Sequence, residues 1–266
     1  MKGVTKPAAR VRIDRLLVER GLVESREQAA RLLLAGEVLV DGKRVSKAGA
    51  LVARDAGVEL QGRSPFVSRG GEKLAHALDV LGVDPAGRDA LDVGASTGGF
   101  TDVLLQRGAN RVIAVDVGRA QLHERLRADR RVTVLERTNA RELRELPFAP
   151  ELVVADVSFI GLRLVLPPVL ALAAPGWEAV VLVKPQFEAG RAEVGKGGVV
   201  RDPEVHRRVL REVAEAALEW EAEPVGVVDS GLPGPKGNRE FFIHLVHRER
   251  PERPDELDTW IDRAVR

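Results

Sequence analysis

The chain has 266 residues, of which 44% are hydrophobic and 30% charged, and it contains no cysteine. These values are typical of a globular protein with one large and one small domain, and they exclude disulfides and thiolate metal sites. No stretch approaches the roughly 18 apolar residues of a membrane helix, and no secretory signal is visible, so we expect a cytoplasmic protein. Residues 1–63 hold 13 Lys/Arg against 8 Asp/Glu, whereas the remaining residues hold 28 against 32. This asymmetry indicates a polyanionic partner for the first part of the chain.

The first sixty residues predict two short helices followed by a β-hairpin. Apolar residues at helical spacing form the first helix, which ends at Gly21. The second helix begins after Ser25, with Gln28 completing a capping box, and ends at Gly36. Asp41-Gly42 lies between two short β-type runs, which is a strong hairpin pattern because both residues tolerate a positive φ.

Several Lys and Arg residues lie at the helix starts and in the hairpin of this segment. Their side chains could contact the phosphates of one nucleic-acid partner together. They are Arg12, Arg15, Arg26, Arg31, Lys43, Arg44 and Lys47. The run RIDRLLVERGLVESREQAARLLLAGEVLVDGKRV resembles the RNA-binding fold first described in ribosomal protein S-four. The resemblance implies that residues 1–62 form a small α+β S-four-type RNA-binding domain, which would recognise structured RNA by shape and backbone. A solvated basic surface on a small packing domain is the alternative.

From about residue 70, helical and strand patterns alternate along the chain. Such alternation predicts an α/β, Rossmann-like domain with a doubly wound, mostly parallel sheet. We expect an interdomain linker at residues 63–69 and this second domain at residues 70–266. Ligands bind at the carboxyl ends of the strands in such sheets, so polar residues at strand ends are the candidates for chemistry.

The first strand of the large domain runs into a glycine-rich turn, LDVGASTGGF. A dinucleotide site would need G-x-G-x-x-G, whereas this turn reads G-A-S-T-G-G. S-adenosylmethionine has no pyrophosphate to bind, and the acidic Asp92 suits its cationic methionine end. Asp116, 24 residues later, can accept hydrogen bonds from ribose hydroxyls. We therefore predict S-adenosylmethionine as the cofactor, with a dinucleotide as the alternative. The predicted contacts are Asp92, Gly94, Ser96, Thr97, Gly98, Gly99, Phe100, Asp116 and Asn139.

Four further polar residues stand at strand ends or beside this turn, namely Lys73, Asp156, Lys184 and Glu240. The segments SRGGEKL, ADVSFI, LVKPQFE and GNREFF surround them and, together with DVGASTGGFTD and GKGGVVRDP, resemble the TlyA family over essentially the whole chain. That family joins the S-four-type fold to a class I methyltransferase domain of the FtsJ (RrmJ) type. The resemblance implies 2′-O-methylation of a cytidine in small- or large-subunit ribosomal RNA, with these four residues as a catalytic tetrad.

The chemistry of methyl transfer to a ribose hydroxyl suits these residue types. Lys184 could act as a general base if its pKa were depressed, for example by Lys73 nearby, or could stabilise the developing alkoxide as a cation. Asp156 would orient it, while Lys73 and Glu240 would support the pair. The structural alternatives are solvated surface charges for the lysines and glutamate, and a helix cap for Asp156.

Two rival functions fit parts of the sequence. The main one is a non-catalytic RNA-binding or ribosome-assembly protein with a vestigial methyltransferase domain. A membrane-active haemolysin, a name the TlyA family has carried, is less favoured because no spanning segment is present. Gly190 to Lys196 fits most of a P-loop, but Gly197 replaces the required Ser/Thr, so we interpret this stretch as a mobile lid over cofactor or RNA. We expect no metal, and ribosomal RNA or ribosomal subunits as partners of a monomer or weak dimer.

Overall fold

The computed structural model describes residues 10–23, 25–60 and 64–266. The chain divides into two units, with the division between Ser64 and Pro65. Residues 61–63, in and beside the expected linker, and most of the basic N-terminus lie outside the described residues. The rest of the expected linker, from Pro65 onward, belongs to the second unit, where the backbone N–H of Val67 donates to Asp102 at 2.8 Å.

The first unit contains the two helices and the hairpin that the sequence predicts, together with three strands that it does not. Its elements are β1 (Arg10–Arg12), α1 (Ile13–Glu19), α2 (Arg26–Ala35), β2 (Val38–Val40), β3 (Lys43–Arg44), β4 (Leu51–Ala53) and β5 (Val58–Leu60). Strand β2 pairs with β3 and β5, and β1 pairs with β4, all antiparallel.

The local signals in the first unit act as expected. The Ser25 side chain accepts a hydrogen bond from the Gln28 N–H at 3.2 Å and so caps α2. Gly36 ends that helix with a left-handed φ of 73°. In the hairpin, Asp41 and Gly42 have φ values of 50° and 74°, the pair of positive angles that a tight two-residue turn requires.

The second unit alternates strands and helices over most of its length. Its first elements are α3 (Arg69–Leu81), β6 (Asp89–Val93), α4 (Gly99–Gln106), β7 (Arg111–Asp116), α5 (Glu124–Arg127), β8 (Val132–Glu136) and β9 (Leu152–Ala155). They are followed by α6 (Leu162–Leu170), β10 (Glu178–Val183), α7 (Pro185–Glu188), α8 (Pro203–Ala217), β11 (Ala222–Asp229), β12 (Phe241–His247) and α9 (Leu257–Val265). Among the described residues, no helix is both long and apolar enough to span a bilayer.

Seven strands form one sheet in the order β11-β12-β10-β9-β6-β7-β8. Every pairing from β10 to β8 is parallel, whereas β12 is antiparallel to both of its neighbours. Alternate residues of the central strands enter two apolar clusters, for example Leu91 and Ala90, so helices cover both faces of the sheet. This confirms the predicted α/β fold with a mostly parallel sheet.

The strand order creates a topological switch point. From β6 the chain continues outward through β7 and β8, and it then returns to place β9 on the other side of β6. The connections from β6 and β9 therefore leave in opposite directions and open a crevice at the strand ends. The glycine-rich turn after β6 and Asp156 after β9 meet at this crevice.

Candidate functional site

Two neighbouring cavities lie at the carboxyl ends of β6, β7 and β9. The larger one, of about 380 Å³, is lined by residues that include Asp116, Asn139 and Phe159. The smaller one, of about 130 Å³, is lined by Ser68, Gly70 and the glycine-rich turn. Gly94, Ser96 and Asp156 line both cavities, so the two form adjacent parts of one cleft.

Gly94 allows the two sides of the cleft to approach closely. Its φ of 85° is left-handed, and a Cβ at this position would lie 2.3 Å from the backbone oxygen of Asp156. Gly99 is similarly restricted, since a Cβ there would lie 2.2 Å from Ser68 Oγ and 2.8 Å from the Gly71 nitrogen. These two glycines leave a backbone-lined cradle of the kind that a nucleoside cofactor needs.

Asp116 organises the wall of the larger cavity. Its two carboxylate oxygens accept hydrogen bonds from the backbone N–H groups of Ser96 at 2.8 Å and Gly118 at 2.6 Å. A carboxylate offers about four lone-pair sites, so acceptor capacity for two ribose hydroxyls remains. Ser96 Oγ also donates to the side chain of Gln121 at 3.2 Å, which places Gln121 in the same wall.

Most of the residues predicted to contact a cofactor line the cleft, and two do not. Those that line it are Gly94, Ser96, Thr97, Gly99, Phe100, Asp116 and Asn139. Gly98 instead faces the core, because a Cβ there would lie 2.3 Å from the Leu126 side chain. Asp92 has no exposed surface. The sequence interpretation missed Ser68 and Gln121, although SRGG and the polar residues after β7 were visible signals.

Asp92 lies beneath the glycine-rich turn rather than in the cleft. Its Oδ2 accepts hydrogen bonds from the Thr101 N–H at 2.9 Å and hydroxyl at 2.6 Å, which fixes the start of α4. Its Oδ1 has no partner among the described residues. The pKa of Asp92 is raised to about 7, mainly by burial; the hydrogen bonds from Thr101 oppose this shift, and the carboxylates of Asp156 and Asp116 add to it. Asp92 is therefore a buried titratable group beneath the glycine-rich turn.

We expect Asp92→Asn to change how stability depends on pH. Because the folded-state pKa of Asp92 lies above its unfolded value, the wild-type chain loses stability as pH rises from about 4 to about 7, and the loss is complete above that range. The substituted amide would keep an acceptor for Thr101 without ionising. The difference in unfolding free energy between variant and wild type should therefore shift in favour of the variant by up to about 4 kcal/mol. Urea unfolding between pH 4 and 8 measures this shift.

Asp255→Asn is the matched control, because Asp255 is exposed and makes no hydrogen bond or ion pair among the described residues. It should change stability by the same small amount at every pH. A difference between Asp92→Asn and wild type that stays constant across the range would contradict the assignment.

Two ion pairs hold the four residues of the predicted tetrad. The Lys73 ammonium, on α3, contacts Glu240 Oε2 at 2.5 Å, and both residues are buried, with 8% and 1% of their surfaces exposed. The Lys184 ammonium, directly after β10, pairs with Asp156 Oδ1 after β9. Each lysine is thus paired with a carboxylate, as expected from the roles of Asp156 and Glu240 in offsetting the lysine charges.

Gln186 joins the two pairs. It stands two residues after Lys184, and its side-chain amide donates to Glu240 Oε1 at 3.1 Å. Lys184 itself donates to Ser158 Oγ at 2.9 Å, so the loop after β9 and the segment after β10 are in direct contact. The four residues therefore form two ion pairs that are linked by the chain segment from Lys184 to Gln186; we call them together the network, and its Asp156 end opens into the cleft.

Glu188 contributes a second connection between the same two segments. Helix α6 has no cap from its own Gly161, and the N–H of Leu162 instead donates to Glu188 Oε1 at 2.8 Å. Burial raises the pKa of Glu188, and the hydrogen bond from Leu162 opposes the shift. The carboxylate of Glu188, and not that of Asp156, accepts the hydrogen bond from the first amide of α6. The interpretation of Asp156 as a cap for this helix is therefore wrong.

The cations predicted to bind RNA in the first unit fall into two groups. Arg12 and Arg26 both pair with the buried Asp14, at 2.9 and 2.7 Å, and Arg15 pairs with Glu19. The hydrogen bond from Arg12 is the main cause that lowers the pKa of Asp14 to about 2. Arg31, Lys43 and Lys47 are exposed, as is Arg44.

No group of histidine, aspartate and glutamate residues within the described part of the chain has the arrangement of a metal site. His244 contacts Glu178 at 3.2 Å, and His247 lies 3.7 Å from Glu221. The stretch from Gly190 to Lys196 does not have the strand-to-helix position of a P-loop, because α7 lies between β10 and the glycines, and the next helix starts only at Pro203.

Comparison with known families and proteins agrees with this architecture. Residues 66–247 match the model of the FtsJ-like methyltransferases, and residues 11–58 match that of the S4 domain. The chain is 46% identical to the 16S/23S rRNA (cytidine-2′-O)-methyltransferase TlyA of Mycobacterium tuberculosis, over 97% of this chain and 98% of that protein.

Two further matches come from Bacillus subtilis and Streptococcus thermophilus. A Bacillus subtilis protein provisionally named rRNA methyltransferase YqxC is 47% identical, over 88% of this chain and 85% of its own length. A solved structure from Streptococcus thermophilus, provisionally named a hemolysin, is 40% identical with a TM-score of 0.76, covering 96% of this chain and 95% of that one. The chain therefore belongs to the TlyA family, in which an S4 domain precedes an FtsJ-like methyltransferase domain.

Proposed function

We propose that the chain transfers a methyl group from S-adenosylmethionine to the ribose 2′-hydroxyl of a cytidine in ribosomal RNA. The observation that carries the proposal is the position of Asp156, which lines the nucleoside-sized cleft while it pairs with Lys184. The names of the full-length relatives supply the nucleotide and the RNA class. A non-catalytic role is not favoured, because the family's tetrad positions form an intact network.

The cofactor would occupy the crevice at the strand ends. Asp116 and Asn139 would hold its adenosine half in the larger cavity, with the ribose hydroxyls on the free lone pairs of Asp116. Ser68, Thr97 and Gly99 would surround its methionine end in the smaller cavity. When bound, S-adenosylmethionine would supply an electrophilic methyl group, with the neutral thioether as the group that leaves in line with the attacking hydroxyl oxygen.

The residues of the network would prepare that oxygen. The new O–CH₃ bond forms as the C–S bond breaks, and the hydroxyl proton leaves to Lys184 or to water. A charged Lys184 would stabilise the developing alkoxide, and a neutral Lys184 would accept the proton. Asp156 and Ser158 hold its ammonium at the rim of the cleft. Lys73, Glu240 and Gln186 lie behind the residues that line the cleft, and they would act as positioning residues.

The S4 domain would bind the RNA through its exposed cations, chiefly Arg31, Lys43 and Lys47, by contacts to phosphates. The paired residues Arg12, Arg15 and Arg26 retain donors beyond those used in their ion pairs, and Arg44 is exposed in the hairpin. Since the substrate is ribosomal RNA, we place the reaction in the cytoplasm, with the chain acting as a monomer or weak dimer.

The test has two parts. Ribosomal RNA from a deletion strain should lack 2′-O-methylation at a cytidine that is modified in the parent, as mapped by alkaline resistance and mass spectrometry. Calorimetry with the purified chain should show S-adenosylmethionine binding at a one-to-one ratio. Unchanged methylation in the deletion strain would overturn the proposed reaction, and absence of cofactor binding would favour the non-catalytic alternative.

A further inference from the structure

The glycine-rich stretch that the sequence identifies as a mobile lid is held in place. Residues 195–199 form a tight turn in which Gly195 and Val199 are bridged, and the Gly195 N–H donates to the Val199 oxygen at 3.1 Å. Gly197 and Gly198 have φ values of 87° and 80°, with open space where a Cβ would lie. An exposed turn closed by a backbone hydrogen bond therefore occupies this position.

A buried asparagine attaches this turn to the segment that precedes β12 and contains Glu240. Asn238 is 3% exposed, and its amide donates to Gly198 O at 2.9 Å and accepts from the Val200 N–H at 3.1 Å. His206 contacts the Val200 oxygen at 3.1 Å from the other side. Lys236 adds a bond from its ammonium to Gly197 O at 2.9 Å.

The turn therefore has a fixed place next to the network. Asn238 stands two residues before Glu240, and a Cβ on Gly234 would lie 2.1 Å from Glu240 Oε1. The segment 234–238 thus packs directly on the carboxylate that pairs with Lys73. Whatever binds to the exposed side of the turn is held close to the reacting end of the domain.

The exposed side of the turn carries cations that form no ion pair within the described residues. Residues 194–201 and 230–239 contain no Asp or Glu. Neither Lys196 nor Arg201 makes an ion pair or hydrogen bond within the described residues, and both are exposed.

The acidic residues that flank this segment are already engaged. Glu193 accepts two bonds from Arg208, at 2.7 and 2.6 Å. Asp202 caps α8 through the Glu204 N–H at 2.9 Å, and Glu204 pairs with Arg207 at 2.7 Å. None of these three carboxylates forms an ion pair with Lys196 or Arg201, and both of these cations face solvent.

We infer that Lys196, Arg201 and Lys236 form a phosphate-binding surface, the clamped turn, which holds the RNA backbone beside the target nucleotide. The inference rests on the proposed function, because it assigns part of the same substrate to the methyltransferase domain itself. Charge complementarity and the rigid attachment by Asn238 argue for a polyanion with regularly spaced charges rather than for a protein partner.

The test is the salt dependence of RNA binding by the full chain. Filter binding with purified 16S and 23S ribosomal RNA should give, for Lys196→Ala/Arg201→Ala, a slope of log K against log salt that is smaller by about 1 to 2, because each lost phosphate contact removes roughly 0.7 to 0.9. Calorimetric affinity for S-adenosylmethionine should remain that of the wild type. Lys196→Arg/Arg201→Lys should retain the wild-type slope.

The matched control is Arg130→Ala/Arg250→Ala, which removes the same charge at two exposed positions that have no partner within the described residues. Arg130 precedes β8, and Arg250 follows β12. Both therefore lie at the ends of the strands that are opposite to the cleft. A wild-type slope in Lys196→Ala/Arg201→Ala, or an equal loss in the control, would overturn the inference. The slope needs no turnover, so failure of the wild type to methylate RNA counts against the proposed function alone.

Discussion

Lys184→Ala should lower the rate of methyl transfer by about 10³-fold, because it removes the only cation of the network that pairs with Asp156 at the rim of the cleft. Cofactor affinity should stay near the wild-type value, since Lys184 does not line either cavity. Stability should fall, because Asp156 Oδ1, the oxygen that pairs with Lys184, is buried and makes no hydrogen bond within the described residues, although 27% of the Asp156 side chain is exposed. Single-turnover methylation of ribosomal RNA and calorimetry on the same preparation measure the two effects.

Lys184→Arg separates the two roles left open for this residue. Arginine keeps a cation but cannot act as a base in a protein. If Lys184 works by charge, Lys184→Arg should retain much of the activity that Lys184→Ala loses. If it accepts the proton, both variants should be equally slow. Activity of Lys184→Ala near the wild-type rate would remove Lys184 from the mechanism.

Glu240→Ala should have the largest effect on stability. It leaves the Lys73 ammonium buried without its carboxylate, and breaking one side of a buried pair costs about 3 to 5 kcal/mol. It also removes the acceptor of the Gln186 amide. Chemical unfolding monitored by the tryptophan fluorescence should show a lower midpoint, and methylation should fall with it.

The double variant Lys73→Met/Glu240→Leu distinguishes loss of the fold from loss of the site. Replacing both charges with apolar groups removes the unpaired ion, so most of the lost stability should return. Activity should not return, because Gln186, two residues after Lys184, has lost the carboxylate that holds its side chain. Recovery of full activity in the double variant would show that the pair has no part in positioning the site.

Much of the fold follows from local patterns. The alternation of apolar runs and helices predicts the parallel sheet, and Ser25, Gly36 and Asp41-Gly42 mark the ends and turns of the first unit correctly. The short strands β1, β4 and β5 escape prediction because each has three residues and is defined by pairing with distant partners. Periodicity cannot reveal a strand of that length.

The candidate site is predicted less completely. Family motifs name the four network residues, and the structure brings them together as two ion pairs. Which lysine pairs with which carboxylate depends on the order of the strands, so it cannot be read from spacing. Burial is equally invisible in sequence, which is why Asp92 was expected in the cleft and lies beneath it. The capping role of Glu188 cannot be predicted from local sequence either, because Glu188 and its partner Leu162 are 26 positions apart.

The bond from Glu188 to the first amide of α6 has a consequence for engineering relatives with altered substrates. The loop after β9 and the segment after β10 share this bond and the contact between Lys184 and Ser158, so neither has a complete set of partners alone. A chimera that imports one of them from a distant homologue would inherit half of each contact. Grafts in this family should exchange residues 156–162 and 184–188 as a single cassette.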